Sequence, residues 1–122
     1  MKKINLLSSF PKSKRSLKER NINKKNIQIA LKYSREYFDG SRSQGYGGYY
    51  YDGRWVAVAN KIIKLFNLKN NSKFLDIGCA KGFLIHDLKI ILPKLKIYGI
   101  DISQYAKDNS ILNIKKNIKI MN

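Results

Sequence analysis

The sequence predicts an α/β fold with a parallel sheet of about three strands, preceded by a basic arm and a Tyr/Gly-rich loop. Three observations predict it. An apolar run, Lys73 to Ile77, ends in the small-residue turn Gly78-Cys-Ala-Lys-Gly82 and leads directly into an amphipathic segment. A second apolar run, Lys96 to Ile100, ends in the carboxylate of Asp101. The segments after each run have the length and spacing of helices, and strand–helix–strand units of this kind form parallel sheets through right-handed crossovers.

The 122 residues allow one small domain. Residues 1–25 mix Lys, Ser, Asn and Arg with few large apolar side chains, which reads as a flexible or loosely packed arm. Residues 26–38 carry Ile27, Leu31, Tyr33, Tyr37 and Phe38 at weakly helical spacing. Between Asp39 and Gly53, five glycines and four tyrosines rule out a helix and predict an aromatic loop. Such a loop next to a sheet is a candidate lid, with Tyr49, Tyr51 and Arg54 reaching the pocket.

From Arg54 to Leu68 the apolar residues Trp55, Val58, Ala59, Ile62, Leu65 and Phe66 recur at three- and four-residue steps, the signature of an amphipathic helix. Lys69 to Ser72 forms a turn before the first strand, Lys73 to Ile77. A helix from Lys81 to Leu92 is stopped by Pro93, and the second strand covers Lys96 to Ile100. Ser103 is a favourable N-cap for a helix to about Leu112, and Asn117 to Met121 begins a third strand. Residues 54–122 thus form the sheet-bearing part of the chain, with residues 26–53 before it.

The net charge of +17 is uneven: residues 1–32 hold ten Lys or Arg against Glu19 alone. A basic block of this kind can contact nucleic acid, a partner the sequence allows without favouring. Heavy use of Lys, Asn and Ile along the whole chain offers a plainer compositional source for the charge. No apolar run is long enough to span a membrane, and one cysteine cannot form an internal disulfide, so the setting reads as reducing and cytoplasmic.

Ligands of open α/β sheets sit beyond the carboxyl ends of the strands, where Asp76, Gly78, Cys79, Ala80, Gly82, Asp101 and Ile102 all map. Gly78 lets the chain turn sharply, and Ala80 and Gly82 keep the loop thin enough for a ligand to approach its backbone. Asp101, 23 residues after Gly78, is placed to accept hydrogen bonds from ribose hydroxyls. A dinucleotide turn spaces its glycines as Gly-x-Gly-x-x-Gly, whereas here Phe83 occupies the slot of the third glycine. The acid at Asp76 repels a phosphate and suits an ammonium group. Both departures disfavour NAD and favour S-adenosylmethionine.

On these residues the chain resembles the class I, Rossmann-like S-adenosylmethionine-dependent methyltransferases. Leu75-Asp-Ile-Gly-Cys-Ala-Lys-Gly82 is similar to their first motif and Tyr98-Gly-Ile-Asp-Ile102 to the acidic motif after their second strand. The segment from Tyr37 to Trp55 also resembles an amino-terminal region of some bacterial members. The resemblance implies that Asp76 and the backbone from Gly78 to Gly82 surround the methionine part of the cofactor, that Asp101 holds the ribose, and that Ile102 packs on the adenine. It implies methyl transfer to an unidentified acceptor, with no metal and no catalytic base nameable in these residues.

Members of the family usually carry seven strands, so the expectation is an amino-terminal half: a truncated reading frame, a fragment, or a chain completed by a complementing chain. The alternatives are a non-catalytic nucleoside-binding fragment needing a partner chain, and a basic nucleic-acid-binding protein. Cys79 reads as a small residue rather than a nucleophile, His86 as a helix-flank side chain, and Asp39 and Asp52 as turn residues. Lys81 is expected to point to solvent.

Overall fold

The computed structural model describes residues 3–12, 16, 18 and 20–122. Parts of the expected basic arm, residues 1, 2, 13–15, 17 and 19, lie outside the described residues. Two short helices come first, α1 (Lys24–Ala30) and α2 (Arg35–Asp39), then α3 (Val56–Phe66), β1 (Lys73–Ile77), α4 (Phe83–Ile91), β2 (Lys96–Asp101), α5 (Gln104–Asp108), a 3₁₀ helix (Leu112–Asn117) and β3 (Ile118–Ile120). The three strands form one parallel sheet in the order β1-β2-β3, the βαβαβ arrangement that the sequence predicts and that forms half of a Rossmann-like sheet.

Register places Leu75 beside Tyr98 and Ile77 beside Ile100, while Gly99 faces Ile118 on the other side. Side chains alternate across a strand. One face therefore presents Phe74, Ile97 and Ile118 to α3 and α4. There they join Val58, Ala59, Ile62, Ile85, Leu88, Leu95 and Ile114 in the core. Gly99 lies on this face because a Cβ there would stand 2.7 Å from Cys79 Sγ and 3.1 Å from Ile85 Cδ1. Among the described residues the opposite face is largely uncovered: Leu75 is 53% exposed, Ile77 75% and Tyr98 47%.

Two expected elements differ. The weak helical pattern of residues 26–38 splits at Tyr33, whose φ of 46° lies in the left-handed region. Its carbonyl accepts a 2.5 Å hydrogen bond from Ser103 Oγ, so a tertiary contact to the start of α5 replaces continued helix. The helix begun at Ser103 ends at Asp108 rather than near Leu112. The chain then tightens into the 3₁₀ turn that drives Ile114 fully into the core. Ser103 is the N-cap as expected, its Oγ accepting from Ala106 N at 3.0 Å.

The amino-terminal stretch packs inward at two points. Leu6 and Phe10 lie against the core, and the Phe10 ring meets Trp55 at 4.8 Å. Lys61 Nζ also bonds Asn5 O and Ser8 Oγ.

Candidate functional site

The turn after β1 is shaped by its own backbone. Gly78 N and Cys79 N both donate to Ile100 O, at 2.8 and 3.1 Å, which pins the loop against the neighbouring strand. Gly78 has a φ of 79° and lines a cleft of about 380 Å³. A Cβ built there meets no protein atom within 4 Å, so the glycine leaves room that a side chain would fill. Gly82 caps α4 at a φ of 75°, where a Cβ would come within 2.4 Å of Ile114 Cδ1. Ala80 also has positive φ, 50°, a conformation glycine accepts more readily.

Asp101 closes the far side of the loop. Its Oδ2 accepts from Ala80 N at 2.7 Å and its Oδ1 from Ser103 N at 2.8 Å. Each carboxylate oxygen keeps a second lone pair for another donor. Asp76 is different. Burial pushes its carboxyl above the ordinary range, the nearby Asp101 charge adds to the rise, and no hydrogen bond offsets them. It is a half-buried acid, and among the described residues no cation pairs with it.

Of the residues singled out from the sequence, Gly78, Ala80, Asp101 and Ile102 meet on the cleft wall, with Ile77, Ile100 and Met121 beside them. Asp76, Cys79 and Gly82 do not line it. Cys79 is buried, and desolvation followed by the Asp76 and Asp101 charges pushes its thiol up to about 12, which leaves no nucleophilic thiolate at neutral pH. His86 Nδ1 lies 2.9 Å from Asn113 Oδ1, on the flank of α4. Among the described residues no group of three or more metal-ligating side chains occurs.

The opposite wall was not legible in the sequence. Tyr33, Tyr37, Phe38 and Tyr46 line the cleft, rather than the Tyr49, Tyr51 and Arg54 expected there. Tyr49 stacks on Phe83 at 4.7 Å, Tyr51 donates to Asp87 Oδ1 at 2.6 Å, and Arg54 pairs with Asp52. The four cleft aromatics pack edge and face on one another, with ring centroids 5.0–5.9 Å apart between neighbours.

Lys81 corrects another expectation. It does not point to solvent but is 4% exposed. Its Nζ reaches Asp39 Oδ1 and Oδ2 at 2.8 and 2.7 Å, and Tyr49 O at 2.9 Å. Asp39, read from the sequence as a turn residue, also accepts from Tyr49 N at 3.0 Å and Tyr105 OH at 2.7 Å. Burial alone would raise its pKa, but hydrogen bonds from Lys81, Tyr105 and the Tyr49 backbone outweigh that and hold it low. No periodicity announces such a pair; its partners lie 42 residues apart.

No family model and no curated protein matches the chain. Among solved structures, a SAM-dependent methyltransferase from Aquifex aeolicus is 26% identical with a TM-score of 0.39, over 52% of this chain and 37% of that one. Coclaurine N-methyltransferase, solved with N-methylheliamine and SAH, is 16% identical with a TM-score of 0.49, over 84% of this chain and 32% of that one. The chain thus spans about a third of the length of both proteins.

Proposed function

We propose that this chain carries the cofactor-binding half of a class I S-adenosylmethionine-dependent methyltransferase. The observation that carries the reading is an acid with free acceptor capacity beside an open glycine on one cleft wall, with a second acid two residues before that glycine. Asp101 has spare acceptor capacity and Gly78 leaves space beside it on the cleft wall. Asp76, just before the turn, is half-buried with no paired cation among the described residues. These groups fit the cofactor's chemistry. An ammonium would neutralise Asp76, ribose hydroxyls would donate to Asp101, and an adenine would find apolar surface at Ile102 and Met121. A cleft of about 380 Å³ is within the usual range for small-molecule sites.

When bound, the cofactor supplies a sulfonium methyl that an acceptor's heteroatom can attack. The chain's own residues bind, orient and exclude water. The Ile100 carbonyl fixes the loop backbone, Asp101 braces Ala80 and Ser103, and the Tyr33, Tyr37, Phe38 and Tyr46 wall screens the cleft as a lid. We assign no catalytic base and no acceptor.

The bare sheet face favours a further partner. Parallel sheets are ordinarily covered on both faces, and here Leu75, Ile77 and Tyr98 lie open. We therefore propose that additional polypeptide, such as a complementing chain, covers this face in the working enzyme, in a reducing cytoplasmic setting. Among the described residues no helix is long and apolar enough to cross a membrane.

Equilibrium dialysis with labelled S-adenosylmethionine tests the assignment. Retention that S-adenosylhomocysteine displaces and NAD does not, and that Asp101→Asn weakens by about tenfold, is the expected result. A folded chain that retains no cofactor yet binds nucleic acid with steep salt dependence would transfer the assignment to the basic alternative.

A further inference from the structure

We propose that Lys81 and Asp39 are positioning residues, a buried latch that fixes the Tyr/Gly loop over the turn after β1 and so sets the shape of the cleft. The inference deepens the cofactor reading and rests on it for its binding consequence alone.

The geometry makes the pair a junction of three chain segments. Lys81 belongs to the Gly78–Gly82 turn, Asp39 ends α2 and opens the loop, and Tyr105 belongs to α5. Lys81 Nζ uses its donors on both Asp39 oxygens and on Tyr49 O, so no ammonium donor remains for an exposed ligand. Asp39 in turn collects Lys81, Tyr49 N and Tyr105 OH, which satisfies both oxygens. The rings of Tyr50 and Tyr105 lie 5.4 and 5.8 Å from Nζ and contribute cation–π attraction.

A buried pair with every donor and acceptor used specifies one arrangement, because a half-made network leaves a desolvated charge. Two neighbours of the latch act on the cleft directly. Phe38, adjacent to Asp39, is 3% exposed, and Ala80, adjacent to Lys81, packs with it in one cluster with Ala106. Both line the cleft. Holding Lys81 to Asp39 therefore holds one residue of each wall against the other. The basic side chain inside the motif does not serve the ligand; it fastens the opposite wall.

Two readouts separate the latch from the cofactor assignment. In the free chain, amide hydrogen exchange across Asp39–Tyr51 should accelerate at least about tenfold in Asp39→Asn and Lys81→Met, while Ile97 and Ile118 amides keep their protection. Tyr105→Phe, which removes one hydrogen bond, should accelerate the loop only about threefold, and Lys81→Arg should retain part of the protection. Calorimetry with S-adenosylhomocysteine should show about tenfold weaker binding for each charge-removing variant. The Asp39→Asn/Lys81→Met pair should be no worse than the poorer single.

Unchanged loop exchange in folded variants overturns the latch. So does acceleration of core and loop amides alike, which marks general destabilisation. Should Lys81→Met not fold, Tyr105→Phe and Lys81→Arg decide by the same criterion. A wild-type chain that binds no S-adenosylhomocysteine sinks the cofactor reading, while the exchange measurements still decide the latch.

Discussion

The two walls of the cleft are held by different kinds of force. The wall of Gly78, Ala80, Asp101 and Ile102 is fixed by backbone hydrogen bonds to the neighbouring strand and by a left-handed turn that Gly78 adopts without strain. The wall of Tyr33, Tyr37, Phe38 and Tyr46 is knit within itself by aromatic edges, by Tyr46 N donating to Tyr37 O at 2.8 Å and by Gly48 N donating to Phe38 O at 3.0 Å. It is fastened to the rest of the molecule by side chains: one buried ion pair and the Ser103 bond to the Tyr33 carbonyl. The first wall cannot shift without disturbing the sheet core. The second can loosen while the sheet stays folded, which suits a wall that must admit a ligand.

Substitutions sharpen that contrast, and the largest effect falls on the turn that supports the first wall. Gly82→Val combines a left-handed backbone with a Cβ 2.4 Å from the fully buried Ile114. Overpacking and backbone strain together should cost about 4 kcal/mol, read by urea unfolding, with the whole domain lost cooperatively. On the second wall, Lys81→Met strands a buried carboxylate and should cost about 3 kcal/mol in the same assay. A cost near zero would mean that Asp39 finds water instead.

Acid should open the second wall before the first. Asp39 titrates below its ordinary 3.8 in the folded chain, so its stabilising contribution is complete above that value and disappears as pH falls through the lower folded pKa. Near-UV circular dichroism, dominated by the clustered tyrosines, should therefore change below about pH 3.8 while far-UV signal persists. Simultaneous loss of both signals would contradict separate walls. The smallest effect is expected at Ala80→Gly. Relief at φ 50° and loss of a methyl packed near Phe38 act in opposite directions, leaving stability within about 1 kcal/mol of the wild type.

The difference between the walls also explains what was legible in the sequence. Strands and turn are local: Lys73–Ile77 and Lys96–Asp101 announce themselves by apolar runs, and Gly78, Gly82 and Asp101 by fixed spacing at their ends. Trp55 to Phe66 shows its helical face for the same reason, with Val58, Ala59 and Ile62 buried as the periodicity requires. The aromatic wall depends on pairings between residues far apart. Which of several tyrosines faces the cleft is decided by where Asp39 meets Lys81 and where Ser103 meets Tyr33. A Lys in a turn looks solvent-facing until the acid that buries it is known.

The measurement that bears most directly on the account is calorimetric titration with S-adenosylhomocysteine and, in parallel, 5′-methylthioadenosine, which lacks the amino-acid arm. An unpaired Asp76 should make S-adenosylhomocysteine bind at least about tenfold tighter, and Asp76→Asn should abolish that margin without weakening the smaller nucleoside. Equal affinities for the two ligands, or no binding of either to a folded chain, would contradict the cleft's assignment to a cationic nucleoside.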